Sequence, residues 1–336
     1  MRIFRSLEEA AQYSQPSVVT IGSFDGIHRA HQELLRRVQE RAREENAASV
    51  VVTFSPHPLQ ILAPQKVPKL LTPLPLKQEL LQDTGLDRLL ILPFTQELSL
   101  WTAEQFVEEV LVQALRCVAV VVGENFRFGH RAAGTVATLE EIGKRHEFET
   151  EVLPSLQVRG MTVSSSQIRC LLEEGKISRA NRLLGRPFRV RQRTEPGLGI
   201  GRSQTVPTLN LAQYSEMLPA TGVYVTLVRI KGKSEVPEDT GTREAAGLAR
   251  PLRSVTNVGY RPTFGERGLG VETHLLEPWD GPPPETFEVS FLYRLRDERK
   301  FDSPEQLKAQ ILRDIRRAKA YFRRLERFRA ASALLH

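Results

Sequence analysis

Two textures of hydrophobic pattern meet near residue 185. Before that point, short apolar runs alternate with stretches in which apolar residues recur every three or four positions. "SVVTI", "SVVVTF", "LDRLLILPF", "CVAVVVG" and "EFETEVL" read as strands. Residues 30–45, 76–83 and 102–115 read as helices, the last opened by Thr102 with Gln105 as a capping box. Such alternation predicts a parallel sheet covered by helices on both faces. "VSSSQIRCLLEEG" then reads as a helix capped by Ser164 or Ser165 and stopped by Gly175. "SRANRLLG" makes a shorter helix closed by Gly185, and "RPF" reads as a hinge.

Beyond the hinge the period changes. "GVYVTLVRI", "LRSVTNVGY", "VETHLLE" and "TFEVSFLYRL" are short runs rich in β-branched and aromatic residues, separated by Gly and Pro. They predict a small antiparallel barrel. The polar insert "KGKSEVPEDTGTREAAG" (231–247) reads as a surface loop. A last helix opens at Ser303, Pro304 and Gln306 and carries an apolar stripe of Leu307, Ile311, Ile315, Phe322 and Leu325.

The 336 residues suffice for two cores. The net charge of +7 is concentrated in "RDIRRAKAYFRRLERFR", where the arginines fall on the face opposite the apolar stripe. No aromatic-basic recognition motif accompanies them, so nucleic acid is not expected as a partner. No stretch approaches the roughly 18 consecutive apolar residues of a membrane span. "MRIFRSLEEAAQYS" has no apolar leader, so a cytoplasmic place without a membrane partner is expected. Cys117 and Cys170 each lie in an apolar segment and are expected as buried thiols, not a disulfide. The oligomeric state is left open.

"GSFDGIHRAHQELLRRV" (22–38) places His28 and His31 where an apolar strand gives way to a helix. Unpaired backbone N–H groups and the positive end of the helix dipole favour an anion there, most naturally phosphate. A metal pair or a core histidine are the alternatives, and the partners a metal would need are not nearby in sequence. Ser164, Ser165 and Ser166, with Arg169 one turn on, form a second candidate phosphate cradle. One of the three serines is expected simply to cap. No Walker A pattern occurs, which argues against a P-loop enzyme. "GLGIGR" offers Gly199 and Gly201 for a phosphate-facing loop. It fails as a dinucleotide fingerprint, because strand-like "TVPTLNL" follows it.

"TIGSFDGIHRAHQ", "VTFSPHP", "VVGENFRFG" and "VSSSQIRCLLEEGKISRANRLLGRPF" resemble, in order, the first half of bacterial bifunctional riboflavin kinase/FAD synthetases. "VPTLNL", "SVTNVGYRPTFG", "VETHLLE" and "FLYRLRDERKFDSPEQLKAQI" continue the resemblance through the second half. It implies a Rossmann-like FMN adenylyltransferase domain over residues 1–185. A β-barrel riboflavin kinase domain over 186–336 would follow, ending in the terminal helix. Riboflavin would become FMN and then FAD, with ATP and Mg²⁺ used at each step. A barrel serving only as a regulatory flavin-binding module is the alternative.

In the first half the resemblance implies that His28 and His31 neutralise charge on the ATP phosphates. Gly22, Phe24 and Gly26 would let the nucleotide approach the backbone. Ser164, Ser165, Ser166 and Arg169 would hold its phosphates. Asn125, Arg127 and Phe128 would meet the flavin, with core packing as the alternative for Phe126 and Phe128. In the second half, Glu272 would be the base, sharing a strand face with His274. Thr208 and Asn210 would hold Mg²⁺ and ATP, with Gly199 and Gly201 beside the phosphates. Four positions depart from the family pattern: Ala30 for a glycine, Thr135 for an aspartate, Thr205-Val206 for a pair that begins with glycine, and Leu209 for an alanine.

Overall fold

The computed structural model describes residues 1–195, 208–231, 250–260, 269–279 and 284–333. Gly199, Gly201, Thr205, Val206 and nearly all of the 231–247 insert lie outside the described residues. The chain divides into two compact units, Met1–Gln167 and Ile168–His336.

In the first unit, β1 (Arg2–Phe4), β2 (Ser17–Ile21), β3 (Ala48–Ser55), β4 (Arg88–Pro93), β5 (Cys117–Gly123) and β6 (Glu149–Leu153) form one sheet. Its order is β1-β4-β3-β2-β5-β6, and every neighbouring pair is parallel. The unbroken apolar runs follow from burial on both faces. Val19, Val50, Leu90 and Val120 enter one core with Phe106 and Leu139. Their chain neighbours Val18, Val51, Leu89 and Val121 enter the other with Leu35 and Leu81. The chain runs from β2 to β3 on one side and returns to β5 on the other. The carboxyl ends of β2 and β5 therefore flank a topological switch point, where such sheets bind ligands.

The predicted helices form at Arg29–Glu44, Leu74–Gln82 and Ala103–Phe106, the last continuing as a wider π-type turn through Val107–Ala114. Thr102 and Gln105 make the expected capping box. A hairpin of β7 (Gln157–Val158) and β8 (Met161–Thr162) precedes the helix Ser165–Glu173. Cys117 is buried as expected. Cys170 is exposed, because its helix turns Ile168, Leu171 and Leu172 inward instead.

The second unit carries a closed barrel of β9 (Phe188–Glu195), β10 (Thr208–Leu211), β11 (Gly222–Lys231), β12 (Leu252–Tyr260), β13 (Leu269–Leu275) and β14 (Thr286–Arg296). All its pairings are antiparallel, in the order β10-β13-β12-β11-β14-β9. The helix Pro304–Ala333 packs Ala318 and Phe322 against Val223, Val225, Val255 and Leu295. Leu307 of the predicted stripe is exposed. Gln310 and Asp314 line the buried face instead, where Arg296 donates to Asp314 at 2.9 Å.

Candidate active sites

β2 is buried at all five positions and delivers the chain to a sharp turn. The Gly22 N–H donates to the Val52 carbonyl at 3.0 Å. Phe24, Gly26 and Ile27 then adopt left-handed backbone, with φ of 47°, 89° and 38°. Two of these are not glycine, and each such conformation costs about 1–3 kcal/mol. Burial of the Phe24 ring against Val18, Ile27 and Leu35 returns about 1.5–3 kcal/mol. That is enough for its own strain and leaves Ile27 to other ties.

Those ties are polar and buried. The Asp25 carboxylate accepts from the N–H groups of Leu71 and Thr72 at 3.1 and 2.9 Å. The Thr72 hydroxyl donates to it at 3.3 Å and accepts the Gly26 N–H. Lys77 donates to the Ser23 carbonyl at 2.6 Å. Asp25, Thr72 and Lys77 were not identified from sequence as site residues. Lys77 in "LPLKQELL" looks like an ordinary wet position on a helix, and only tertiary packing buries it.

His28 ends the turn and caps the helix Arg29–Glu44. Its Nδ1 accepts the His31 N–H at 3.3 Å, which leaves Nε2 as the ring's donor nitrogen. The two imidazoles stack with centroids 3.7 Å apart and 13° between planes. His31 also packs on the Phe24 ring at 5.0 Å. Phe24 is therefore a floor under the histidines, with its ring in the core. Among the described residues, no group of three or more His, Cys, Asp and Glu is placed to hold a metal.

The serine segment reaches the same turn. Ser164 caps its helix, accepting the Gln167 N–H at 3.2 Å. The Ser165 hydroxyl donates to the Asp25 carbonyl at 2.8 Å. Ser166 is exposed, and Arg169 lies half-buried one turn along the helix. After β5, the next loop exposes Asn125 and Arg127. Asn125 donates to Ser155 at 3.4 Å, and Ser155 donates its N–H to Glu124 at 3.1 Å. Phe128 is buried, stacked on Phe126 at 5.4 Å and close to Phe106 at 6.0 Å, so its ring is committed to the core. Thr135 caps the next helix, accepting the Thr138 N–H at 3.2 Å, which gives that departure a structural role.

In the barrel, strand register assembles the second group. β10 and β13 pair Asn210 with Glu272 and Thr208 with His274. Directly paired residues of antiparallel strands share a face. Thr208, Asn210, Glu272 and His274 are therefore on one side of the wall. Leu209, Leu211, Val271 and Thr273 alternate to the other side, where all four are buried. The departure at Leu209 thus points away from the polar face. Thr208 Oγ1 and His274 Nδ1 lie 3.0 Å apart in a hydrogen bond. Burial pushes the His274 imidazole below its ordinary range, and the Glu272 charge pulls it partly back. The face therefore carries a neutral imidazole, a hydroxyl, an amide and a carboxylate. Those oxygens are hard donors of the kind Mg²⁺ accepts.

Comparison with known proteins agrees along the whole chain. Residues 10–167 match the family model described as FAD synthetase, and residues 184–322 match that of riboflavin kinase. The bifunctional riboflavin kinase/FMN adenylyltransferase of Escherichia coli K12 is 32% identical over 96% of this chain and 98% of its own. The Pseudomonas fluorescens protein of the same description is 34% identical, over 95% and 97%. A crystal structure described as a macrolide-efflux protein from Streptococcus pneumoniae superposes with a TM-score of 0.81 at 27% identity, covering 94% of this chain and 98% of that one. With both halves matched, in order and nearly end to end, the chain belongs to the family of bifunctional riboflavin kinase/FMN adenylyltransferases.

Proposed function

We propose that this chain phosphorylates riboflavin to FMN within residues 186–336 and adenylylates FMN to FAD within residues 1–185, using Mg-ATP each time. The two steps ask for different chemistry. Riboflavin presents a neutral hydroxyl. As its oxygen bonds to the γ-phosphorus of ATP and the bond to ADP breaks, a proton must leave, and Glu272 accepts it. Thr208 and Asn210 would hold Mg²⁺, which supplies charge neutralisation at the ATP phosphates. His274 is neutral and holds the Thr208 hydroxyl.

FMN presents a phosphate oxygen that is already an anion. It bonds to the α-phosphorus of ATP while the bond to pyrophosphate breaks, so no base is needed. The requirement is charge stabilisation on the leaving group by aimed donors. His28, His31, the N–H groups of the helix start and Arg169 are assigned that work. Gly22, Gly26 and Ser164–Ser166 are assigned to shaping the nucleotide pocket, and Asn125 and Arg127 to the flavin side. Phe128 and Phe24 support from the core.

The observation that carries this reading is the register that sets Asn210 directly opposite Glu272, beside the Thr208–His274 hydrogen bond. The presence of Thr208, Asn210 and Glu272 together argues against a barrel that only senses flavin. No helix among the described residues is long and apolar enough to cross a membrane. A cytoplasmic place and small-molecule partners, without nucleic acid, complete the proposal. The test is incubation of the protein with riboflavin and Mg-ATP, followed by chromatography of the flavins. FMN should form first and FAD after it; recovery of riboflavin alone would overturn the reading.

A further inference from the structure

We propose that Thr72 and Lys77 are positioning residues for adenylyl transfer, holding with Asp25 the left-handed turn Phe24–Ile27 from which His28 emerges. The proposal rests on the reading of this turn as the ATP site of the first unit. Three of four consecutive residues have positive φ, and one of them is a β-branched isoleucine. A chain with that composition relaxes out of such a turn unless its surroundings fix it.

The fixation is visible group by group. The Ser23 carbonyl takes Lys77 Nζ at 2.6 Å and the Thr53 hydroxyl at 3.3 Å. The Gly26 N–H goes to Thr72 Oγ1, whose proton goes in turn to Asp25. The Asp25 carbonyl takes Ser165, and the Ile27 carbonyl takes Gln32 Nε2 at 2.8 Å. The Thr72 hydroxyl is thus used twice, once as acceptor and once as donor, on consecutive residues of the turn.

Lys77 is the unusual member. Leu76, Leu80 and Leu81 of its helix are buried and apolar, and Lys77 is buried with them at 6% exposure. Burial pulls its ammonium below the usual lysine range, while the Asp25 charge opposes that. Methionine would fill the same space without a charge to desolvate. What the ammonium adds is the bond to the Ser23 carbonyl and a counter-charge for Asp25. His28 begins one residue after Ile27. The helix behind it is anchored through Leu35 and Val38, so the turn decides where the capping imidazole starts.

The experiment measures FMN adenylylation in the full chain with ATP varied, for Thr72→Val, Thr72→Ser and Lys77→Met. Each preparation is also assayed for FMN formation from riboflavin and melted thermally. Thr72→Val keeps the shape and removes the hydroxyl. Misplacement of reacting groups by about 1 Å costs on the order of a hundredfold. We expect kcat/KM for adenylylation to fall by about that factor, with KM for ATP raised. FMN formation should remain at the parent rate. Thr72→Ser keeps the hydroxyl and should restore most of the activity. Lys77→Met should fall in the same direction. A lower melt with reduced Vmax at unchanged KM is what loss of folded protein gives, and would overturn the proposal. Parent kinetics in both Thr72→Val and Lys77→Met would overturn it as well. Should Thr72→Val fail to fold, Lys77→Met decides alone. A parent protein that makes no FAD from FMN and Mg-ATP overturns the reading of the site itself, and the proposal with it.

Discussion

The two candidate sites hold their polar groups by opposite means. In the first unit the groups stand on a turn and at a helix start, with left-handed backbone at Phe24, Gly26 and Ile27 and a mesh of buried side chains behind it. In the barrel the groups stand on regular strands, and two ladder pairs, Thr208–His274 and Asn210–Glu272, bring them together. The turn sets two stacked imidazoles at the start of a helix, a place where the helix dipole favours an anion. A ladder points alternate side chains to one face at a fixed spacing. That suits a site in which a carboxylate must stand beside oxygen donors for a cation. The difference also sets the vulnerabilities. The turn depends on many small ties to residues distant in the chain, whereas the ladder depends on register, where a one-residue slip would turn all four polar groups to the opposite face.

The largest effect expected from separating the two is at the base. Glu272→Gln should lower FMN formation by roughly a hundred- to ten-thousandfold, because only this step must shed a proton. FAD formation from added FMN should continue. Flavin chromatography with riboflavin and with FMN as alternative substrates reads both, and a normal kinase rate would remove Glu272 from the role.

Next in size, the double variant His28→Ala/His31→Ala should lose about a hundred- to a thousandfold in FAD formation, the usual cost of removing donors from a developing charge. It should stay folded and accumulate FMN. Parent-rate FAD formation would show that the stacked imidazoles are packing groups only.

Asn210→Ala is expected to raise KM for Mg-ATP in the kinase step by about tenfold, the loss of roughly one polar contact. Adenylylation should not change, and an effect there would break the assignment of sites to units.

The smallest effect concerns Ala30, at the second residue of the helix that His28 caps. Ala30→Gly should lower helix stability by up to about 1 kcal/mol, seen as a small drop in melting temperature, with little change in kcat. A large gain in adenylylation rate would mean that the Ala30 methyl obstructs the nucleotide.

How much was legible follows from where each feature gets its stability. The runs "SVVTI", "SVVVTF" and "CVAVVVG" announce a sheet buried on both faces, because each must be apolar throughout, and they are β2, β3 and β5. The edge strand β1 has only three residues and one buried side chain, so its pattern carries no period. The sequence around β9 suggests only a hinge at "RPF". Its outward Arg189 and Arg191 make "FRVRQRTE" look solvated, yet both are paired with Glu288, buried on β14. That pairing exists only once the barrel closes.

The sites divide in the same manner. His28 and His31 stand out by their place at a strand-to-helix junction, whereas Thr208, Asn210 and Glu272 become candidates only through the family resemblance of the motifs that hold them. Asp25, Thr72 and Lys77 act through contacts about fifty residues apart in the chain, for which helix and turn patterns leave no local trace. Cys170 and Leu307 went the other way. Each lies in an apolar segment, yet the helical phase turns both outward.

The proposed function requires that residues 1–185 and residues 186–336 each carry a chemically complete site, so that one half can be disabled without the other. The direct test mixes two disabled proteins, Glu272→Gln and His28→Ala/His31→Ala, with riboflavin and Mg-ATP, and follows the flavins over time. Neither variant alone should yield appreciable FAD. Complete, separable sites predict FAD from the mixture, as the histidine variant makes FMN and the glutamine variant adenylylates it. A mixture that forms no FAD, although each variant retains its own remaining step, would contradict the claim.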